Sequence, residues 1–331
     1  VKKPIVILLL FTLASSIHAQ IFVKPGSSGN GTSWVQAYGD LQQALLSGRL
    51  HPGVQVWVAA GRYVPTQTGD RHASFVIPDG IILMGGFAGH ETSADQRNWR
   101  SNITVLSGEI GSASLDDNSY SVVLTQNVGS ATVVDGFVIT AGSANGTGVR
   151  GNARRSGAGW YNNGSHGISN PTIINCLFVN NYGRDGAGLY NIAFKGIASP
   201  RLENCQFVNN HADLDGGAIF NDGSFGECSP VIVNCLFDEN EASYGAGIIN
   251  LAEHGECRPS IINSVFARNL SYVRGSSVYN NREYPGVCEA NIETCIFNDN
   301  KDKVGNTVSS TVNNELPNRK TGSEVVYKAG F

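Results

Sequence analysis

Asp185 and Asp215 hold the same place in two nearly identical phrases, RDGAGLYN and LDGGAIFN, 30 residues apart. If those phrases stack as adjacent layers, the two carboxylates come within about 5 Å, the separation at which a retaining glycosidase sets its acid and its nucleophile. Arg184 and Asp213 lie beside them. The pair also has a plainer reading. Asp before Gly is an ordinary turn residue, and the same position continues as Ser156, Tyr244 and Arg274 in the related phrases.

A second set of residues suggests binding. Tyr161, Tyr190, Phe220, Ile249 and Tyr279 each follow an apolar residue, respectively Trp160, Leu189, Ile219, Ile248 and Val278. Neighbouring strand residues face opposite sides, so if the second series is core, Tyr161, Tyr190, Phe220 and Tyr279 project outward as an aromatic strip. Such a strip could stack on sugar rings or contact a protein partner. Alternatively, residues 192–199, 222–229, 251–258 and 281–288 fold over the rings and make a satellite core. The seven cysteines divide by position. Cys176, Cys205, Cys235 and Cys295 share a column with Ser264 and read as small core residues, whereas Cys228, Cys257 and Cys288 form a ladder in a loop where one disulfide could form. His254 and Cys257, in HGEC, lack the further ligands that a metal site needs, so no metal is expected.

These residues are placed by a repeat. PTIINCLFVNN at 171, PRLENCQFVNN at 200, PVIVNCLFDEN at 230, PSIINSVFARN at 259 and ANIETCIFNDN at 290 start 29, 30, 29 and 31 residues apart. In phase with them run GAGWYN at 157, GAGLYN at 186, GGAIFN at 216, GAGIIN at 245, GSSVYN at 275 and a weak GNTVSS at 305. A period near thirty marks a solenoid. The absence of 3.6-residue apolar stripes, with Gly, Asn, Val, Ile and Phe filling the unit, makes it a β-solenoid. Ile173, Leu202, Ile232, Ile261 and Ile292 face in, as do Phe178, Phe207, Phe237, Phe266 and Phe297. The column of Ile174, Glu203, Val233, Ile262 and Glu293 faces out, because two glutamates cannot lie unpaired in a narrow core. Alternation must then break between the two inward columns. The break falls on Asn175, Asn204, Asn234 and Asn263, a residue type that tolerates the left-handed conformation of a corner. Two more Asn columns, Asn181 to Asn300 and Asn162 to Asn280, predict further corners. The fold class is therefore all-β, a right-handed parallel β-helix with rungs about 4.8 Å apart.

The rest of the 331 residues fits one exported domain. Lys2 and Lys3, the apolar run Ile5 to Leu13, and ASSIHAQ make residues 1–19 a secretory signal peptide. Residues 20–310 form the β-helix. Its leader, 20–130, contains GDLQQALLSGRL, a short helix over 39–50 that Asp40 can cap and that covers the open end of the coil. Leader rungs follow at about 54–64, 74–87, 103–109 and 120–140, then a loop at 142–156; the repeat rungs occupy 131–310 and a polar tail 311–331. Without the signal, 21 basic residues face 27 acidic ones, a net charge of −6 that invites neither nucleic acid nor anionic lipid. No stretch of the mature chain is long and apolar enough to span a bilayer.

The G-[GA]-[AG]-φ-[YFI]-N phrase followed by F-x-x-N resembles the repeat of chlamydial polymorphic outer membrane proteins and of secreted bacterial β-helix proteins in the pectate-lyase-like superfamily. VKPGSSGNGTSWVQAYGDLQQAL, VWVAAGRYVPT, ILMGGFAGHET and DNSYSVV resemble the leader of choice-of-anchor β-helix proteins, although residues 311–331 are unlike a sorting segment. The resemblance covers nearly all of residues 21–310. It implies the fold, and it implies that catalysis would need carboxylates, or an Arg or Lys base beside calcium, on one outer face. The polygalacturonase-like N-T-D, D-D, G-H-G and R-I-K set is absent, as is the R-x-x-P-x-x-R of pectate lyases. The resulting expectation is a monomeric, non-catalytic protein, secreted or held at the surface of a bacterium. Its partner would be a cell-surface glycan or protein contacted through Tyr161, Tyr190, Phe220 and Tyr279, without cofactor. The alternative is a polysaccharide lyase or glycoside hydrolase acting on an acidic polysaccharide through Asp185 and Asp215, with calcium if it is a lyase.

Overall fold

The computed structural model describes residues 20–281, 285–303 and 312–313. The expected signal peptide at 1–19, the weak phrase at 305 and nearly all of the expected polar tail lie outside the described residues. The chain forms a right-handed parallel β-helix in which every sheet strand pairs in parallel with its counterpart one rung away. One rung runs through Thr172–Ile174, Leu177–Val179, Tyr182–Asp185 and Leu189–Ile192. Stacking these four segments gives sheets of nine, eight, six and eight strands, called first to fourth here in that order. The leader rungs pair in the same way, from Gln20–Val23 against Gln55–Ala59 up to Ile82–Phe87 against Val133–Asp135. Among the described residues no helix is long and apolar enough to cross a membrane.

The interior is a stack of identical side chains. Phe178, Phe207, Phe237, Phe266 and Phe297 lie ring on ring, 4.5 to 5.2 Å apart and within 12° of parallel. Offset stacks of this kind add about 0.5–1.5 kcal/mol per pair to the burial of the rings themselves. Cys176, Cys205, Cys235 and Ser264 are buried beside them, as the column predicts. At the N-terminal end, helix α1, Leu41–Leu45, lays Leu41, Ala44 and Leu45 on the coil, and the Asp40 carboxylate accepts from the backbone of Gln42 at 2.9 Å. The helix is shorter than the 39–50 expected: Leu46 is 76% exposed and has no core to cover, and Ser47 and Gly48 do not extend it.

The Asn columns correct the expectation of three similar corners. Asn175, Asn204, Asn234 and Asn263 do adopt left-handed φ of 49° to 54° between the first and second sheets, and Thr294 does so at 51°. Their amides meet at the surface, at 3.4 Å for Asn204 to Asn175 and 3.3 Å for Asn234 to Asn204. The second corner falls on Asn180, Asn209, Glu239, Arg268 and Asp299, again left-handed. The Asn181–Asn300 column comes one residue later and points inward. Asn210 Nδ2 donates to Phe178 O and to Asn240 Oδ1, both at 3.0 Å, while its Oδ1 accepts from Asn181 N at 3.2 Å and Asn181 Nδ2 at 2.9 Å. The third column lies within strands of the fourth sheet, where Asn162, Asn191, Asn221, Asn250 and Asn280 join amide to amide at 2.8 to 2.9 Å. The turn between the third and fourth sheets is instead made by Gly157, Gly186, Gly216, Gly245 and Gly275, all with φ between 57° and 79°.

Two comparisons test this layout by urea unfolding. Phe207→Asp buries an unpaired charge and should abolish folding, whereas Glu203→Lys, on the outer face, should change stability by less than about 0.5 kcal/mol. Asn204→Ala should cost about 1–2 kcal/mol, since Ala resists the left-handed corner. Asn210→Ala should cost clearly more, because it strands several buried polar groups at about 1–3 kcal/mol each. Equal losses for the two Asn variants would contradict the distinction between outer and inner columns.

Candidate functional site

The third sheet brings Asp185 and Asp215 into register as the spacing requires, with Ser156, Tyr244 and Arg274 in the same column. The surroundings correct their reading as a working pair. Asp185 is wholly buried, and its Oδ2 is gripped by Arg155 through Nη2 at 2.6 Å and Nε at 2.7 Å. Burial raises the pKa of Asp185 while the Arg155 charge opposes the rise. Closed off in this way, its carboxylate cannot flank a substrate. It holds the segment 146–155, whose Arg155 also donates to Gly148 O at 2.9 Å and whose backbone closes on itself through Gly146 N to Arg154 O at 2.8 Å.

The same segment overturns the aromatic strip. Tyr161, Tyr190, Phe220 and Tyr279 do point away from the central core, but they are only 7%, 0%, 0% and 5% exposed. They form a satellite core with Ile249 and Leu251, against which Ala153, Ile192 and Tyr244 pack. Tyr161 Oη donates to Gly151 O at 2.6 Å and Tyr190 Oη to Asp222 Oδ2 at 2.6 Å, so covering the rings strands no hydroxyl. Burial, with the Asp222 charge, pushes the Tyr161 pKa up to about 12. The cover comes both from the loop before the array, through Gly151 and Ala153, and from residues at the starts of the connections between rungs, Ile192, Asp222 and Leu251.

The second Cys ladder is also interior. Cys228, Cys257 and Cys288 sit among Ala193, Ala198 and Ala252, and all seven cysteines are free thiols. The disulfide allowed by the spacing is not formed. Cys228 Sγ instead lies 3.0 Å from Ala198 O and Cys288 Sγ 3.1 Å from Asn250 O. His254 is exposed while Cys257 is buried, so HGEC does not present two ligands to one point.

The exposed rings lie in the tight turns that follow the fourth sheet. His166, Lys195, Phe225 and His254 occupy equivalent left-handed positions, φ 53° to 58°, each just before a glycine. A Cβ on Gly226 would overlap the carbonyl of Ala193, which is why the turn can stack only with glycine there. Phe194 precedes Lys195. The rings of His166, Phe194, Phe225 and His254 form a continuous row with centroids 5.6, 5.7 and 5.3 Å apart. Phe194 and Phe225 are 37% and 45% exposed, and Lys195 Nζ lies 5.3 Å from the Phe194 centroid. Phe is costly in a left-handed turn, so Phe225 is a site of local strain that displays its ring. Sequence reasoning took these turns only as cover; the signal was the aromatic or basic residue before each turn glycine in SHG, FKG, SFG and EHG.

Between the row and segment 146–155 lies an open concavity of about 380 Å³. Val149, Ile192, Phe194 and Phe225 make its apolar walls, and Arg150, Asp222 and Glu253 its polar ones. A larger concavity of about 600 Å³ by Asn209, Glu239, Glu241 and Arg268 is lined mainly by polar groups that satisfy one another. There Arg268 pairs with Asp238 and Glu239, and Glu241 receives Tyr272 Oη at 2.8 Å.

The chain is similar in structure to pectate lyase Pel9A. The identity is 16%, the match covers 79% of this chain and 68% of that one, and the TM-score is 0.46. The pectin methylesterase from Aspergillus niger in deglycosylated form is similar at 14% identity over 86% and 87% of the two chains, TM-score 0.41. A rhamnogalacturonan lyase is similar at 12% identity over 81% and 84%, TM-score 0.34. No family model matches the chain, and no curated protein matches its sequence.

Asp185→Asn should loosen segment 146–155 without unrolling the coil. Trypsin should then cut quickly at Arg150, Arg154 or Arg155, while the circular dichroism spectrum stays that of the native protein. An unchanged cleavage rate would show that Asp185 does not hold the loop. A thiol reagent should label native protein at Cys295 alone, since burial closes off the other six thiols and raises the pKa of Cys176, Cys205 and Cys257. Labelling of Cys228 or Cys257 before denaturation would contradict the interior placement.

Proposed function

We propose that the chain is an exported, non-catalytic β-helix protein of a bacterial surface that contacts an extended glycan along the row His166, Phe194, Phe225 and His254. That exposed row carries the reading. Its rings repeat once per rung, parallel to the coil axis, and so match a ligand that is itself a linear repeat. Stacking of an aromatic face on a sugar ring needs no particular hydroxyl pattern. Export is supported by Lys2, Lys3, the apolar run that follows and ASSIHAQ. A surface role is supported by the resemblance of the repeat to that of polymorphic outer membrane proteins. A surface protein is the other partner class, but a ridge one ring wide offers it little of the broad apolar core that protein interfaces use.

The rival reading, cleavage of an acidic polysaccharide, loses Asp185 to the ion pair with Arg155.

Retention of purified protein on a panel of immobilised polysaccharides tests the proposal. Phe194→Ala with Phe225→Ala should weaken retention about tenfold, from about 0.5–1.5 kcal/mol per ring. The thermal midpoint should hardly move, since both rings are surface groups. Retention unaffected by the double variant would dismiss the ridge. Release of reducing or unsaturated ends that Asp215→Asn abolishes would establish the enzyme instead.

A further inference from the structure

The cavity beneath the ridge differs in kind from the ridge itself. Its floor holds a carboxylate, Asp222, whose side chain is only 8% exposed. Asp222 Oδ2 accepts from Tyr190 Oη at 2.6 Å, and Oδ1 accepts from Ser224 N at 3.1 Å. The Arg150 guanidinium lines the same cavity but stands off, with Nε 3.8 Å from Asp222 Oδ2, beyond a hydrogen bond. Arg150 also lies over the Phe220 ring, 5.9 Å from its centroid, at the outer reach of a cation–π contact that leaves its donors unused. The cavity thus combines an aromatic wall, a buried acceptor already oriented by two donors, and a guanidinium with N–H groups to spare. At about 380 Å³ it falls in the range of small-ligand pockets, about 300–1,000 Å³.

We propose that this cavity is a subsite for a single uncharged pyranose unit, carried as a branch or an end on the glycan that the ridge contacts; it therefore rests on the reading of the ridge. The ring lies against Phe194 and Phe225, its hydroxyls accept from Arg150 and donate to Asp222 or Glu253. Charge sets the class. A uronic acid would bring a third carboxylate to a lining that holds Asp222 and Glu253 against Arg150, with the Lys195 ammonium outside it on the Phe194 ring. The outer rim of the concavity, Val149 and Arg150, belongs to segment 146–155, so Asp185 acts on the subsite as a positioning residue through Arg155.

Methyl-resolved NMR of the full protein, observing Val149 and Ile192, tests the subsite with methyl glycosides of glucose, galactose, mannose and N-acetylglucosamine as neutral probes. Methyl glucuronide and methyl galacturonide serve as acidic counterparts. At least one neutral probe should shift both signals saturably, and the matched acid should bind at least about tenfold more weakly. Arg150→Ala should weaken the neutral probe about tenfold, the scale of a hydrogen bond to a charged group. Val149→Trp, at a position 78% exposed, should block the mouth while leaving the core and ridge retention alone. No shift from any neutral probe, with polysaccharide retention by the ridge intact, would overturn the subsite and spare the ridge. Tighter binding of an acidic probe would overturn the ligand class. Saturable shifts in a protein that no polysaccharide retains would leave the pocket as a sugar site and remove the ridge.

Discussion

A coil that turns two corners within one rung strips backbone groups of their partners in the driest part of the molecule. At each second corner the chain bends through a left-handed residue, and the N–H that follows, such as that of Asn181, turns toward the buried Asn column. The side-chain amide of Asn210 reaches back to take that N–H and to bond Phe178 O, and the same amide joins its equivalents in the rungs on either side. Each Asn therefore completes its neighbour's bonding, and an unpaired buried polar group costs about 1–3 kcal/mol. The stacked Phe rings next to this column keep the spacing of the parallel backbone ladder, and the amides bond at that same spacing from within.

This dependence explains what could be read from the residues and what could not. Columns with one chemistry in every rung, such as the Phe and core Cys series, declare their direction because burial admits few types. The Asn columns were legible as ladders but not as geometry. Asn serves at a corner through its backbone, as Asn204 does, or inside through its amide, as Asn210 and Asn221 do, and the letter is the same. The corner at Asn180, Asn209, Glu239, Arg268 and Asp299 was hidden for the converse reason: once the next residue supplies the bonding, almost any exposed side chain can occupy the turn.

The site was the least legible part, and the cause is a second layer. Period-2 alternation tells which side of a strand faces out, not whether anything lies over it. Tyr190 and Phe220 do face out, and then segment 146–155, which belongs to no repeat, closes on them through Arg155 to Asp185 and Gly151 to Tyr161, with Arg150 standing over Phe220. A non-repeating insertion leaves no column in the sequence to announce what it touches. Asp185 and the rings from Tyr161 to Phe220, which looked most like chemistry, thus meet in one closure, and exposure passes to the turns farther out.

The rings of those turns are carried by backbone that cannot stretch, because each turn is bonded to the next, His166 N to Phe194 O at 3.0 Å and Phe225 N to Glu253 O at 2.8 Å. For the glycan proposed to lie along it, the row is therefore a ruler with a fixed graduation. A flexible groove adapts its contacts to a ligand, whereas a ruler accepts or refuses a period. A polymer whose units advance by a different step would match at one ring and drift out of phase along the row, so its later units would sit over gaps. Discrimination of that kind grows with the number of rungs rather than with the chemistry of any one of them, and adding a turn to the coil would sharpen it without altering a single existing contact.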